Sequence, residues 1–269
     1  MAVVKLEIQS SIATISLDHP VGNRINFAMR EELLEALRRV AKSSARILLI
    51  RAEGADFCLG GDVRDWPGIP SGELRPKIEV FAKALDQLEG LTIPTVAAVQ
   101  GRCFGGGFEL ILGCDLVIVG NSAEFACPEA LLGIVTLQGG VFQLAQRIGR
   151  TRAIEFAFLS DAFGAEEAAR LNLVNRVVPD LDLQDAARVL VERLGSGPSQ
   201  AYARTKTLLR AWSTGGISAA KAVLYDVSMP LFDTEDVQAA LRGAAVAAQQ
   251  GLAFPKASFG NSMLATRSS

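Results

Sequence analysis

The chain has 269 residues, of which 49% are hydrophobic and 21% charged, so it can form a sizeable core and is not disordered. Its net charge of -2, with no long run of one sign, argues against binding to nucleic acid or to an anionic membrane surface. Without a signal-peptide pattern or an apolar run of about 18 residues, a soluble, cytoplasmic protein is expected.

Alternating apolar residues at the N-terminus predict a β-hairpin that turns at residues 9–11. Helical spacing of apolar residues follows from Met29 to Ala41 and again from Ile78 to Leu88, with a short buried strand, Arg46–Arg51, between them. A strand at Pro94–Val99 then leads through a glycine-rich turn into a helix, and another strand begins at Asp115. Strands and helices that alternate in this way indicate an α/β fold, in which ligands bind at the C-terminal ends of the strands.

The pattern becomes purely helical after about residue 195. Three helices are predicted, at Ala203–Trp212, Ile217–Phe232 and Glu235–Gln250. The last of them has an apolar stripe, which must pack either on the main body or on another subunit. We therefore predict a core of residues 1–194 and a helical region of residues 195–269.

The four cysteines are Cys58, Cys103, Cys114 and Cys127. They form no CxxC pair, and the single histidine, His19, is distant in sequence. This pattern favours reduced, buried thiols over a metal site or a cysteine nucleophile, so no metal is expected. Arg102 and Asp115 are interpreted as structural.

Two glycine-rich turns stand out, FCLGGD at 57–62 and GRCFGGGFE at 101–109. Glycines expose backbone N–H groups without obstruction by side chains, which suits a developing negative charge on a ligand oxygen. The alternative is that these glycines only permit tight turns and close packing. Asp62, which follows Gly-Gly, is interpreted as a cap for the next turn.

Two glutamates are candidates for acid–base chemistry. Glu109 follows Gly106 by three residues, close to one helical turn, and Glu129 lies in the apolar segment FACPEALLG. Glu109 is expected near the anion-binding end of its helix, whereas Glu129 is either solvent-exposed at a turn or placed in a pocket. Two carboxyl groups that converge on one water molecule could activate it and also donate a proton, as the addition of water to a double bond requires.

Together these motifs resemble the enoyl-CoA hydratase/isomerase (crotonase) family. The resemblance covers about residues 4–255 and rests on motifs in family order and spacing: HPVGNRIN, FCLGGD, IPTVAAVQGRCFGGGFELILGCDLVIVGNSAEFACPEALLGI and RIGRTRAIEFAFLSDAFGAEEAARLNLVNRVVP. It implies the crotonase fold, a spiral of repeated strand–strand–helix units with a C-terminal helical region that packs in a homotrimer or a dimer of trimers.

The resemblance also implies a site for an acyl-CoA thioester, with no cofactor besides the coenzyme A that belongs to the substrate. The N–H groups of Gly61 and Gly106 would hold the thioester oxygen. Glu129 would be the main proton donor to the α-carbon, and Glu109 would help to take the proton from water. The other residues implied to border the acyl-CoA are Arg24, which would approach the phosphates, and Gly60, Asp62, Val63 and Arg64.

The implied reaction is hydration of a 2-enoyl-CoA to a 3-hydroxyacyl-CoA. An isomerase that uses Glu129 alone is the first alternative. A hydrolytic or carbon–carbon bond-cleaving reaction and a non-catalytic acyl-CoA binder are the others.

One loop departs from the family pattern. After Glu129 the family usually reads Gly-x-x-Pro-Gly-x-Gly-Gly, whereas this chain reads GIVTLQGG at 133–140. Thr136 thus replaces a proline and Leu137 replaces a glycine. The added bulk of Leu137 is expected to reshape the acyl pocket, which Phe104 and Phe108 are also expected to line.

Overall fold

The computed structural model describes residues 2–254, 257 and 259. The described chain divides into two compact units. The first holds the residues up to 91 and those from 95 to 191, and the second holds residues 92–94 and those from 192 onward. Whether the sequence-predicted regions, 1–194 and 195–269, are independent domains stays a prediction.

The strands of the described residues belong to two sheets. In chain order they are β1 (Val4–Gln9), β2 (Ile12–Leu17), β3 (Ile47–Ala52), β4 (Thr95–Val99), β5 (Arg102–Phe104), β6 (Leu116–Gly120), β7 (Glu124–Ala126), β8 (Phe163–Gly164) and β9 (Arg176–Val178). The larger sheet has the order β1-β2-β3-β4-β6-β9 and the smaller one β5-β7-β8. Strands β1 and β2 form the predicted antiparallel hairpin, and the other neighbours in the larger sheet are parallel.

Successive strands β4 and β5 fall in different sheets and are followed by a helix, so they form a strand–strand–helix unit. The sequence prediction was wrong on one point here, because Arg102–Phe104 was interpreted as part of a turn. These three residues form β5 instead and pair in parallel with β7. A three-residue strand is too short to show alternation, and its partner lies some twenty residues further along the chain.

The α-helices are α1 (Phe27–Ala41), α2 (Ser71–Gly90), α3 (Gly106–Leu112), α4 (Gly140–Ile148), α5 (Arg150–Leu159), α6 (Ala165–Arg170), α7 (Leu183–Gly195), α8 (Ser199–Ser228) and α9 (Glu235–Gln249). Helix α1 begins at Phe27, two residues before the apolar spacing that predicted it, and the Asn26 side chain caps its start by accepting a hydrogen bond from Met29 N at 2.8 Å. Helix α2 begins at Ser71, seven residues before its predicted start. The prediction missed the first turns because they are mostly exposed and therefore show no apolar spacing.

The core of the first unit lies between the large sheet and the apolar faces of α1 and α2. Its largest fully buried side chains include Phe57, Phe81 and Phe125. All four cysteines are buried and free of disulfides, as predicted. Burial raises the pKa of the Cys58 and Cys127 thiols to about 12, so both thiols are neutral at pH 7.

The second unit consists of helices, as predicted. Two of the predicted helices join into α8, which kinks at Gly215 and Gly216. The apolar stripe of α9 is largely uncovered, since Ala247 alone is buried among the described residues beyond Gly195. No helix in the described part of the chain is long and apolar enough to cross a bilayer.

Candidate active site

A cavity of about 390 Å³ opens in the first unit, and its lining residues lie between positions 24 and 138. This volume is within the range of small-molecule sites. Nine of the residues predicted for the site line it: Arg24, Gly60, Gly61, Val63, Phe104, Gly106, Glu109, Glu129 and Leu137. The cavity therefore gathers segments that are far apart in the sequence.

Backbone hydrogen bonds hold the first glycine turn against the loop before α1. Ile25 N donates to Gly60 O at 2.9 Å, and Asp62 N donates to Ile25 O at 3.0 Å. Neither bond uses the N–H of Gly61, which lies between the two bonded residues. The Gly61 N–H is therefore available to an acceptor from outside the described chain, and Gly61 itself lines the cavity.

The second glycine turn is fixed by the start of the small sheet. Cys58 N donates to Arg102 O at 3.1 Å, and Phe104 N donates to Cys58 O at 2.9 Å. These bonds place the two turns side by side. A Cβ atom added at Gly106 would lie 3.9 Å from Gly61 N.

The N–H groups of Gly61 and Gly106 are thus close neighbours. Neither donates to an acceptor among the described residues. Two preorganised N–H donors in a partly enclosed cavity can stabilise negative charge on one oxygen atom.

Glu109 lies on the first turn of α3 and is only 3% exposed. Its Oε1 atom accepts hydrogen bonds from Gln138 N and Gly140 N, both at 2.9 Å. Burial is the main cause that raises the pKa of Glu109 to about 7, the two backbone donors lower it, and the nearby charge of Glu129 raises it. Glu109 can therefore exchange a proton near neutral pH.

Glu129 lies in a short 3₁₀ helix, Pro128–Leu132. Its Oε2 atom is buried and has no hydrogen-bond partner among the described residues. Burial also raises the pKa of this carboxyl group. A Cβ atom added at Gly105 would lie 2.9 Å from Glu129 Oε1, so the glycine gives this carboxyl group its space.

A sequence model of the family described as enoyl-CoA hydratase/isomerase matches residues 7–247. The chain belongs to this family. A Rhodobacter capsulatus protein named "Probable enoyl-CoA hydratase" is 34% identical over 223 residues, which are 82% of this chain and 86% of that protein. A Proteus mirabilis carnitinyl-CoA dehydratase is 35% identical over 213 residues, 77% of this chain and 80% of the relative.

Solved structures agree with this assignment. Enoyl-CoA hydratase subunit I of Geobacillus kaustophilus has a TM-score of 0.86 and 26% identity, and the match covers 96% of this chain and 98% of that one. A Thermobifida fusca protein solved in complex with CoA has a TM-score of 0.77 and 30% identity, with 86% and 93% covered. The predicted crotonase fold is confirmed.

The loop that departs from the family pattern is the one that holds Glu109. Besides Gln138 N and Gly140 N, it contributes Thr136, whose Oγ1 atom accepts a hydrogen bond from Val141 N at 3.1 Å in the first turn of α4. The threonine thus satisfies a helix N–H that a proline side chain could not. Leu137 lines the cavity, with 41% of its surface exposed, and its expected effect on an acyl group stays a prediction.

Asp62 and Arg64 are not among the residues that line the cavity. The Asp62 carboxylate accepts hydrogen bonds from Arg64 Nε at 2.7 Å and Nη2 at 2.6 Å. It also accepts from Arg64 N at 3.4 Å, which is the predicted capping interaction. Their expected place beside an acyl-CoA stays a prediction.

The prediction for Phe108 was wrong. Phe108 is 1% exposed and packs in the core, with its ring centroid 5.5 Å from that of Phe125 and 5.9 Å from that of Phe163. Residues 106 and 109 are nearly one helical turn apart and face the cavity together, whereas position 108 points to the other side of α3.

The polar residues interpreted as structural have protein partners. Arg102 binds the Asp56 carboxylate at 2.9 and 2.7 Å, although it also borders the cavity. The Asp115 carboxylate accepts from Thr95 N at 2.8 Å and from its hydroxyl at 2.9 Å. Among the described residues, no group of three or more His, Cys, Asp or Glu side chains is arranged to hold a metal ion.

Sequence reasoning missed several lining residues, including Trp66, Phe81 and Arg30. Arg30 carried a signal. It precedes Leu33, Leu34 and Leu37 at intervals of three, four and seven residues, so the helical spacing alone puts a charged side chain on the apolar face of α1. Trp66 and Phe81 gave no comparable signal, since an aromatic residue that faces a cavity looks in sequence like one that faces the core.

Proposed function

We propose that this protein hydrates a 2-enoyl-CoA to a 3-hydroxyacyl-CoA. The proposal rests on one observation: Glu109 and Glu129 line the same cavity as Gly61 and Gly106. The N–H groups of these two glycines are neighbours and donate to no acceptor among the described residues. Addition of water to a thioester-conjugated double bond needs this combination of an acid, a base and donors for an enolate oxygen.

In the proposed complex, the thioester oxygen accepts hydrogen bonds from Gly61 and Gly106. Attack of water at the β-carbon moves the electron pair of the double bond through the α-carbon onto that oxygen. The resulting enolate is stabilised by the two donors, each of which contributes on the order of 3 kcal/mol in sites of this type.

The two carboxyl groups complete the proton balance. Glu109 takes one proton from the water as its oxygen bonds to the β-carbon, and Glu129 gives a proton to the α-carbon as the enolate collapses. Glu109 then holds an extra proton and Glu129 lacks one, so proton exchange between them or with solvent restores the starting state. Burial raises the pKa of Glu129, which favours the protonated form that a proton donor needs, and the pKa of about 7 makes the ionised form of Glu109 available to a base near neutral pH.

The coenzyme A portion would extend from the cavity past Arg24, which is partly exposed and would approach the phosphates. The CoA complex of the Thermobifida fusca structural relative supports an acyl-CoA ligand. Gly60, Asp62, Val63 and Arg64 would border the acyl-CoA, and Phe104 and Leu137 would contact the acyl chain.

A homotrimer or a dimer of trimers is proposed to cover the apolar surface of the helical unit. Exposed large side chains there include Leu209, Ile217, Tyr225 and Val246. The hydrophobic effect favours covering so many apolar side chains in one short region. The cytoplasmic location stays a prediction from the sequence.

Double-bond isomerisation is the second candidate, and one observation favours it. Glu109 Oε1 is already engaged by two backbone donors, whereas Glu129 Oε2 has no partner among the described residues. A single free carboxyl group could move a proton between two carbons of the acyl chain without water.

Enoyl-thioester absorbance tests these alternatives, with crotonyl-CoA and with longer, branched and aromatic 2-enoyl-CoAs as substrates. The native chain, Glu129→Gln and Glu109→Gln are compared, and Glu124→Gln, which alters an exposed glutamate on β7, is the matched control. Hydration is supported if the native chain and the control variant consume the absorbance of a 2-enoyl-CoA and both site variants fail to do so. Sensitivity to Glu129→Gln alone, with turnover of a 3-enoyl-CoA, would favour the isomerase, and no turnover would refute both.

A further inference from the structure

Helix α1 carries a charged side chain into the cavity. Arg30 is 3% exposed and borders the same cavity as Gly61 and Glu109. Its Nη1 atom donates to Lys77 O at 3.2 Å, while its buried Nε atom has no hydrogen-bond partner among the described residues. One N–H donor of this buried guanidinium group therefore has no acceptor in the described part of the chain, on a residue that lines the cavity.

No carboxylate neutralises this guanidinium in the described part of the chain, where Arg30 belongs to none of the ion pairs. Its other neighbours are aromatic, with the guanidinium carbon 5.3 Å from the ring centroid of Phe27 and 5.5 Å from that of Trp66. Burial alone lowers the pKa of Arg30 to about 10, so the side chain keeps its positive charge at pH 7.

A buried cation without a counter-anion destabilises the fold, and an apolar side chain at this position of α1 would pack without that loss. Rings stabilise a cation on their faces but do not satisfy its N–H groups. The surroundings of Arg30 are therefore those of a binding site in which an anion of a ligand would neutralise the guanidinium. A planar guanidinium with free donors matches a carboxylate.

The position of Arg30 indicates which part of a ligand would bring the anion. A Cβ atom added at Gly61 would lie 3.9 Å from Arg30 Nη2, so the guanidinium lies close to the turn that presents the Gly61 N–H. A cavity of about 390 Å³ can hold an acyl chain but not a whole coenzyme A. In the proposed complex the phosphates would approach Arg24, which is partly exposed, whereas Arg30 is almost fully buried.

We propose that Arg30 binds a carboxylate on the acyl group, so that the preferred ligands are coenzyme A monothioesters of dicarboxylic acids. This inference rests on the proposed function for the placement of the thioester and names its substrate class. In turnover, the substrates would be 2-enoyl-CoAs that carry a second carboxylate at the far end of the chain.

Binding of unreactive, saturated thioesters tests the proposal without turnover. Calorimetry would compare glutaryl-CoA with pentanoyl-CoA and adipoyl-CoA with hexanoyl-CoA, which are pairs of equal chain length. The native chain should bind the acidic member of at least one pair about tenfold more tightly, as a charge-assisted hydrogen bond to a buried partner provides. A butanoyl-CoA with a trimethylammonium group at its end should bind more weakly than pentanoyl-CoA.

Arg30→Gln should reduce the preference for the acidic member to about onefold, because it removes the charge but leaves amide donors. Arg30→Lys should keep part of it. Arg38→Gln is the matched control, since it removes the same charge from an exposed position of the same helix and should leave the preference unchanged.

Equal binding within both pairs by the native chain would overturn the proposal, and this comparison does not depend on whether any variant folds. A preference that survives Arg30→Gln would also overturn it. A preference that depends on Arg30 without hydration of any 2-enedioyl-CoA would leave the carboxylate site standing and refute only the proposed reaction.

Discussion

The two carboxyl groups of the cavity are held by regions of different character. The Glu109 region, Gly106–Leu112 with residues 136–140, fixes its carboxylate by two backbone hydrogen bonds to one oxygen. The Glu129 region, residues 124–132, buries its carboxyl group but provides Oε2 with no partner among the described residues. The first region therefore restricts the position of the Glu109 carboxylate, whereas the second leaves the Glu129 carboxyl group space to move.

This difference suits Glu109 and Glu129 to the different roles that the proposed reaction gives them. In the proposed hydration the base that acts on water must be oriented, and two backbone donors hold Glu109 in place, while burial raises its pKa to about 7. A proton donor must reach a carbon atom of a bound ligand, and a carboxyl oxygen without protein partners is available for that movement. The loop that departs from the family pattern belongs to the Glu109 region, so its substitutions should affect Glu109, the proposed base, more directly than Glu129.

Filling the space beside Glu129 should have the largest effect. In Gly105→Ala, the new Cβ would lie 2.9 Å from Glu129 Oε1, at a backbone φ of +52° that side chains rarely adopt. We expect kcat to fall by about a thousandfold, as the loss of a general acid does. Steady-state kinetics would measure this.

The control for this variant is Gly133→Ala. Gly133 also has a positive φ, +69°, but nothing lies within 4 Å of an added Cβ. This variant should lose about 1 kcal/mol of stability and keep its kcat. Equal activity of both variants would show that the space at Gly105 does not serve Glu129.

Replacing the carboxylate of Glu109 should change the pH dependence of the free energy of unfolding. The pKa of Glu109 is raised from 4.5 to about 7 in the folded chain, so the folded state binds the proton more tightly than the unfolded state does. Stability is therefore full below pH 4.5 and falls as the pH rises through about 7, by about 3 kcal/mol at 1.4 kcal/mol per pH unit.

Glu109→Gln removes this loss. Relative to the native chain, the variant should therefore gain about 3 kcal/mol between pH 4 and pH 8. Urea unfolding at both values would measure it, with Glu124→Gln as the control. An unchanged difference between native chain and variant would show that Glu109 ionises normally.

The same pKa predicts an acid limb in the rate profile. If Glu109 must be ionised to accept the proton of water, kcat/KM should fall about tenfold per pH unit below about pH 7. At pH 5 the rate constant would be about a hundredfold below its plateau. The residual activity of Glu109→Gln should lack this limb, and its persistence there would assign the limb to another group.

A substitution in residues 133–140, the loop that departs from the family pattern, should have the smallest effect on activity. Leu137→Gly restores the usual glycine and enlarges the cavity that Leu137 lines. We expect the ratio of kcat/KM for a longer or branched 2-enoyl-CoA to that for crotonyl-CoA to rise about tenfold, since hydrophobic pockets discriminate by 1–3 kcal/mol per group. An unchanged ratio would place the acyl chain away from Leu137.

Much of the fold could be predicted because its signals are local. The hairpin, α1, β3, β4, β6 and the C-terminal helices follow from apolar periodicity. Strand β5 was missed because a three-residue strand has no period of its own. The early start of α2 was missed because its first turns are exposed.

The candidate site was predicted in part for a different reason. Glycine-rich turns and carboxylates in apolar segments are visible as residue types, and order along the chain links them to a family. That Phe108 faces the core, that Asp62 pairs with Arg64 and that Arg30 borders the cavity depend on where side chains point after packing.

The amino-acid sequence by itself determined the α/β organisation, the helical C-terminal region and the family, because periodicity and motif order are properties of the chain as written. Only the tertiary structure decided which N–H groups lie together, how each carboxyl group is held and that a cation borders the acyl cavity without a carboxylate partner in the described chain. Those features arise between residues up to about a hundred positions apart, and they depend on burial, which raises the pKa of Glu109 to about 7 and lowers that of Arg30 to about 10.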